Sequence, residues 1–212
     1  LLDMFNNLIA SRFFPDEWRT ATAIPVLKKG RDPSNASSYR LISLTSCLCK
    51  LLEKMVAARL TWYLEQNSMI SPHQYGFRKS RSTIDCLVKL ESYVKEAFNK
   101  NQEVGAVFFD IKNAFDTVSR TKIMEALEQR GIGGNFAYFI YNYLRHRSFR
   151  VLSGGSYSYL YQQEIGVPQG GVLSAHLFVL AIDNILNCIR DPVQACLYAD
   201  DLVIFTSAPN IS

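Results

Sequence analysis

Two adjacent carboxylates, Asp200 and Asp201, stand between the apolar runs Ala195-Cys196-Leu197 and Leu202-Val203-Ile204-Phe205. Side by side between buried strands, such groups repel each other and lose hydration, and a bound divalent cation removes both penalties. Consecutive residues of a straight strand point to opposite faces, so the pair serves one site only where the chain turns. A solvated turn is the plain alternative, because Asp suits turns on its own account. A third carboxylate, Asp110, ends another apolar run, Val104 to Phe109, and a strand end is where a rigid scaffold holds side chains that still reach solvent. If the two runs are neighbours in one sheet, Asp110, Asp200 and Asp201 converge. Three carboxylates offer the hard oxygen ligands that Mg²⁺ takes, with waters and substrate phosphates completing its shell. Two such ions roughly 3.5–4 Å apart would clamp the attacking and leaving oxygens of an in-line phosphoryl transfer.

The elements that must position these groups follow from periodicity and turn signals. Leu1 to Arg12 has helical apolar spacing and Pro15 interrupts it; Ala21 to Leu27 reads as a strand, and Lys28 to Tyr39 as an exposed loop. A helix is predicted from Leu48 to about Leu64, a polar stretch from Asn67 to Thr83, and a further helix through Ile84, Leu87, Val88, Val94 and Phe98. Val104 to Phe109 is predicted to be a buried strand. Ser119 is placed to cap a helix ending near Arg130, with Gly131 as its stop signal. Asn135 to Arg147 reads as a helix with an aromatic face, and Phe149 to Ile165 as β-rich, with Gly154-Gly155 as a hairpin turn. Ser174 is placed to cap a helix running through Phe178, Ile182, Ile185, Leu186 and Ile189. Val193 to Tyr198 and Leu202 to Phe205 read as two strands joined by Ala199-Asp200-Asp201. Helices first, then strands and helices on a largely antiparallel sheet, make an α+β chain.

Composition agrees with a folded chain: 48% apolar and 20% charged residues exclude disordered and collagen-like classes. The excess of 23 Lys and Arg over 19 Asp and Glu gives +4, compatible with a nucleic-acid partner but too small to argue one. Cys47, Cys49, Cys86, Cys188 and Cys196 show no zinc-type spacing and read as free thiols in a reducing compartment. No run of 18 apolar residues argues a membrane span. His73, His146 and His176 show no metal or triad spacing and read as structural. The chain begins Leu1-Leu2 rather than Met, so a piece of a longer polypeptide is expected.

Asp110 lies within Phe108-Phe109-Asp110-Ile111-Lys112-Asn113-Ala114-Phe115-Asp116; downstream come Gly166-Val167-Pro168-Gln169-Gly170-Gly171-Val172-Leu173-Ser174 and Tyr198-Ala199-Asp200-Asp201. In order and spacing these resemble motifs A, B and C of reverse transcriptases. Tyr39 to Ser46 and Gln74-Tyr75-Gly76-Phe77-Arg78 resemble finger-region motifs of the non-LTR retrotransposon branch, of the jockey-like kind. The resemblance extends over essentially the whole chain. It implies a right-hand polymerase: a palm, with an antiparallel sheet packed on helices, from about residue 101 to 212, and a helical fingers subdomain from 1 to about 100. It further implies a thumb beyond the palm and commonly an endonuclease before the fingers. Neither fits in 212 residues, so the thumb is expected to be absent and processive synthesis by the isolated piece weak or nil.

The resemblance also implies roles. Asp110, Asp200 and Asp201 match the catalytic, metal-binding carboxylates, and the carbonyl of Ile111 a position that helps hold the nucleotide-bound metal. Phe115 takes the place of the steric gate that selects dNTP over NTP, with ordinary core packing as the lesser alternative. Lys28 or Lys29, with Arg40, resembles the cations that grip the triphosphate, and Gln169 a residue that contacts the nucleotide sugar or neighbouring finger groups. Arg78, Lys79 and Arg81, near Lys89, take positions that suggest template contact; a solvated charged face is the alternative. Asp116 reads as a helix cap outside the metal set. The sequence departs from the family pattern at Leu41, where Pro is usual, at Gly171, where Ser is common, and at Ala175, which replaces a frequent Pro.

The expected function is RNA-directed DNA polymerisation: a primer 3′-OH attacks the α-phosphate of a dNTP with two Mg²⁺, or Mn²⁺ in their place. A nicked genomic end serves as DNA primer and the element's own RNA as template. The family implies the nucleus as the place of action, or a cytoplasmic ribonucleoprotein. Another palm-fold nucleotidyl transferase or cyclase would share the carboxylates without needing Phe115, Gln169 or the fingers. A non-catalytic RNA-binding remnant would keep the basic surface and tolerate loss of Asp200.

Overall fold

The computed structural model describes residues 1–210; Ile211 and Ser212, the end of the segment read as palm, lie outside the described residues. In chain order the elements are α1 (Leu2–Ala10), β1 (Thr20–Leu27), β2 (Tyr39–Leu44), α2 (Cys47–Gln66), α3 (Thr83–Asn99), β3 (Glu103–Phe109), α4 (Ala114–Thr117), α5 (Arg120–Gln129), α6 (Gly134–Leu144), β4 (Arg147–Ser153), β5 (Ser156–Tyr157), β6 (Tyr161–Gln163), α7 (Val172–Ile182), β7 (Gln194–Tyr198) and β8 (Asp201–Ala208). The chain forms two compact units, each assembled from separated segments: Leu1–Arg59 with Phe115–Ser174, and Leu60–Ala114 with the residues from Ala175 onward.

The first unit holds a sheet of order β2-β1-β4-β5, with β6 also on β4. Apart from the parallel pair β1–β4, its neighbours are antiparallel. β2 went unrecognised in the sequence because Arg40, Ser43 and a half-covered surface interrupt its apolar pattern. Helices α5 and α6 bury Ile123, Ala126 and Leu127 and Phe139, Ile140, Tyr143 and Leu144. Phe14 packs edge-on against Trp18, Phe139 and Tyr143 at 5.6–5.9 Å, a geometry that aromatic quadrupoles favour. Ser119 caps α5 as expected, its hydroxyl accepting from the Lys122 amide, and Gly154-Gly155 turns the β4–β5 hairpin.

The second unit is built on an antiparallel sheet of order β3-β8-β7. Beneath it Leu186, Ala195, Leu197 and Leu202 form a core joined by Ile182, Ile189 and Ile204. Helix α3 lies along β3 and β7 and starts in a capping box, with Ser82 and Asp85 satisfying each other's backbone amides. Tyr93 packs edge-on against Phe205 at 4.9 Å.

Two expectations are corrected. β3 is not buried: it is an edge strand, and Phe108 is 72% exposed, with Val107 and Phe109 also open. An uninterrupted apolar run does not distinguish a strand covered on both faces from an edge strand with apolar residues left open. Ser174 is not the cap of α7 but the third residue inside it, sharing a hydrogen bond with the Tyr143 hydroxyl at 3.1 Å. Nor does that helix run to Ile189. It stops at Ile182, and a 3₁₀ turn, Asp183–Cys188, follows, where the buried Asp183 carboxylate accepts from the Ser71 amide.

Candidate active site

The β7–β8 hairpin closes at the pair Tyr198–Asp201, leaving Ala199 and Asp200 as a two-residue tip. Ala199 has φ +56°, the left-handed backbone such tight hairpins require and one that costs a non-glycine residue about 1–2 kcal/mol. On the other side of β8, the ladder with β3 ends at Phe109–Leu202; one step further brings Asp110 to Asp201. The register thus sets Asp110 opposite Asp201, with Asp200 the next residue in the hairpin tip. Desolvation pushes the Asp201 carboxyl above the usual range, and repulsion first from Asp200 and then from Asp110 adds to it. Among the described residues, no three His, Cys, Asp or Glu side chains are drawn together into a ready-made metal cluster. Asp110, Asp200 and Asp201 still offer carboxylate oxygens of the kind a hard cation takes, and the charges of Asp200 and Asp110 both reach Asp201. Ile111 follows Asp110 directly and is half-buried.

Phe115, Asp116 and Gln169 belong to the first unit. The carbonyls of Phe115 and Val118 accept from the amides of Val167 and Gly166, at 2.8 and 3.0 Å. Gly166 has φ +73°, and a Cβ there would stand 2.4 Å from the Asp116 carbonyl oxygen, so α4 and this turn are in direct backbone contact. Gln169 Nε2 donates to Asp116 Oδ1 at 3.0 Å, and its carbonyl accepts from the Ser43 amide of β2 at 2.7 Å. Desolvation raises the Asp116 carboxyl, opposed by the Gln169 bond and by the charge of Lys28. Asp116 is thus inside α4 and bound to Gln169, rather than a helix cap.

The β1–β2 pair separates the two lysines. Arg40 pairs with Val26, and the Lys28 amide extends the ladder by donating to the Ser38 carbonyl at 2.8 Å. Two residues apart on one strand share a face, so Lys28 stands on the face of Arg40, while Lys29 lies in the exposed turn that follows.

The basic cluster divides. Arg78 turns inward: its side chain is 9% exposed, and it donates to both Glu65 carboxylate oxygens and to the carbonyls of Ser71 and Gln74. Four of the five guanidinium N–H groups are thereby engaged, so this residue is not part of a solvated charged face. Arg81 donates to the Pro72 carbonyl at 2.6 Å and lies over the Tyr75 ring; Lys79 is exposed. Lys89 donates to the Ala195 carbonyl at 3.0 Å and meets His73 Nδ1, a structural use of both residues.

Sequence reasoning missed two residues of the first unit. Arg120 donates to the carbonyls of Gly166 and Gln163, and burial lowers its guanidinium to about 10, still charged at neutral pH. Glu53, 1% exposed, accepts from the Leu173 amide at the start of α7, from the Tyr143 hydroxyl and from the Cys49 thiol. Its signal was a Glu on the apolar stripe of α2, one residue from Leu52.

Comparison with known proteins adds a family to this geometry. The model of the family "Reverse transcriptase (RNA-dependent DNA polymerase)" matches residues 26–211. The chain is 32% identical to a probable RNA-directed DNA polymerase from transposon BS of Drosophila melanogaster, over 97% of this chain and 23% of that relative. It is 31% identical to the RNA-directed DNA polymerase from mobile element jockey of the same organism, over 98% of this chain and 23% of the relative. The chain therefore spans about a quarter of the length of these relatives. Among solved structures, apo telomerase from Candida tropicalis, truncated from its C-terminal domain, superposes with a TM-score of 0.65 at 13% identity, covering 98% of this chain and 48% of that one; this likeness is one of fold.

Proposed function

Because the chain belongs to the reverse transcriptase (RNA-dependent DNA polymerase) family, we propose that it carries the fingers and palm of an RNA-directed DNA polymerase of a non-LTR retrotransposon. The observation that supports this most directly is the register that brings Asp110 beside the Asp200-Asp201 hairpin. The fingers comprise residues 1 to about 100 and the palm residues from about 101. The reaction is attack of a DNA primer 3′-OH on the α-phosphate of a dNTP opposite an RNA template, with loss of pyrophosphate.

Asp110, Asp200, Asp201 and the Ile111 carbonyl would hold two divalent cations, Mg²⁺ or Mn²⁺. Such ions would supply Lewis acidity there, easing deprotonation of the primer hydroxyl and offsetting charge on the triphosphate. Lys28 and Arg40 supply counter-charge to the triphosphate, Arg through its planar fork. Lys28 is preferred to Lys29 because it shares the Arg40 face of the hairpin. The Phe115 ring abuts C2′ of the incoming sugar and excludes a 2′-hydroxyl. Gln169, held by Asp116, contacts the sugar or the neighbouring finger groups. Lys79 and Arg81 give phosphate contacts to the template, which add affinity without reading sequence; Arg78 supports them from within. The place of action is the nucleus, where chromosomal ends serve as primers.

The test is extension of a DNA primer on an RNA template with Mg²⁺ and dNTPs, by the chain alone and joined to the thumb of a relative. Template-directed incorporation that disappears in Asp200→Asn is expected. RNA binding without extension by the thumb-bearing form would reject the reading.

A further inference from the structure

The tip of the β7–β8 hairpin is held from a side that neither β8 nor β3 reaches. Residues 73–76 run beside β7 as a short parallel stave. The Leu197 amide donates to the His73 carbonyl at 2.9 Å, and the Tyr75 amide donates to the Leu197 carbonyl at 2.7 Å, with Gln74 and Leu197 forming a parallel bridge. Lys89 fastens the same segment by reaching both His73 and the Ala195 carbonyl. At the end of the stave, Gly76 lies directly against the tip. A Cβ built on it would fall 2.2 Å from the Ala199 nitrogen and 2.9 Å from the Ala199 Cα. Those are backbone atoms, which have no rotamer by which to yield. The Gly76 amide donates to Gln74 Oε1 at 2.8 Å. Gln74 is wholly buried, and its Nε2 has no partner among the described residues, so the carbonyl end of its amide fixes its orientation.

From this packing we infer that Gln74 and Gly76 are positioning residues for the Asp200-Asp201 carboxylates: the stave holds Ala199 in its strained conformation and thereby sets where Asp200 stands. The inference deepens the proposed function and rests on those carboxylates acting as metal ligands. Ala199 is not a residue that adopts a positive φ freely. The tight hairpin demands that conformation, and the close approach of Gly76 to the Ala199 backbone leaves it little room to relax. Arg81, five residues beyond the stave, lies over the ring of its Tyr75 at 5.0 Å.

The test compares Gly76→Ala with Gly154→Ala. Gly154 has φ +57° and open space where a Cβ would go, so its substitution strains the backbone without touching the tip. In Gly76→Ala, amide exchange at residues 197–201 is expected to speed up at least tenfold over the Gly154→Ala control. Mn²⁺ binding, followed by electron paramagnetic resonance, is expected to weaken at least fivefold. In primer extension by the thumb-bearing form, kcat should fall while the KM for dNTP stays within twofold. Should Gly76→Ala fail to fold, Gln74→Met removes the Oε1 acceptor at nearly constant volume, and the same changes are expected in smaller degree. Exchange and Mn²⁺ affinity matching the Gly154→Ala control would overturn the inference. A wild-type chain that takes up no Mn²⁺ would instead reject the metal reading, while the exchange comparison still decides whether the stave holds the tip.

Discussion

Gln169 Nε2 donates to Asp116 Oδ1 at 3.0 Å, tying the turn after Pro168 to the short helix that carries Phe115. The bond favours the ionised carboxylate, whereas desolvation disfavours it, and desolvation is the stronger of the two. A carboxyl raised in the folded state takes up its proton more readily than the unfolded chain does. Its ionisation therefore subtracts stability as pH climbs from the ordinary value of 3.8 through the raised one. Gln169→Leu removes the one hydrogen bond that offsets this. Its loss of stability is expected to grow from near zero at about pH 4 to about 0.5 kcal/mol at neutrality, the bond being open to solvent. Urea midpoints at the two pH values check this, and equal losses would show that the bond does not act on the charge of Asp116. Asp116→Asn keeps an acceptor for Gln169 and should flatten the slope.

Asp110→Asn should do two opposite things. Asp201 is pushed upward by desolvation and by its two acidic neighbours, so in the absence of cations its ionisation costs stability as pH rises above the ordinary value of 3.8. Removing the Asp110 charge lessens the repulsion. The melting temperature of the variant at pH 7 in chelator should rise by about 1–2 °C, the scale of a weak surface charge interaction in a chain of this size. Mg²⁺ should raise the melting temperature of the wild type and not that of the variant, and primer extension should be abolished. A variant that melts lower than the wild type in chelator would show that the carboxylates do not repel one another.

Phe115→Ala is expected to relax discrimination against ribonucleotides by about 10–100-fold, the worth of a lost steric contact in a shaped pocket. The residue's backbone is fixed independently of its ring, through the Val167 amide at 2.8 Å, so truncation should leave the turn in place. Competition between dNTP and NTP in single-nucleotide extension measures it. Unchanged selectivity in an active enzyme would return Phe115 to the core.

Gly171 shows a departure from the family pattern that the rest of the chain has accommodated. A Cβ there would meet Ser174 Oγ at 2.6 Å, the Tyr143 hydroxyl at 2.8 Å and Glu53 Oε2 at 3.1 Å. Those three groups are mutually hydrogen-bonded through Tyr143 and anchor the start of α7. Gly171→Ser, which restores the commoner residue, should therefore destabilise the chain by about 1–3 kcal/mol. Ser174→Ala in the same background should recover part of that loss. A double-mutant cycle on unfolding midpoints gives the coupling, and strict additivity would mean that the two sites do not share this space.

What could be read from the amino-acid order was local chemistry. The strand-like runs ending at Asp110 and flanking Asp200-Asp201, the cap at Ser119 and the Gly154-Gly155 turn are each written in a few neighbouring residues, since periodicity and turn propensity act over one or two turns of chain. Motif order carried the family as well. β2 escaped notice because its polar positions obey contacts with β1 and with the Gln169 carbonyl, both distant in sequence. The exposure of β3 escaped because an apolar run does not record whether a second layer covers it.

The sequence by itself thus determined the three carboxylates, their place at strand ends and the reaction class they suit. Tertiary structure decided which residues are free to act. It paired β3 with β8 so that Asp110 meets Asp201, turned Arg78 inward onto Glu65, and set Lys28 rather than Lys29 on the face of Arg40. It also placed Gly76 against Ala199, across more than a hundred residues of chain. The reason is physical: charge, hydrogen-bond capacity and backbone propensity belong to a residue, whereas register, burial and close approach belong to pairs that only folding brings together.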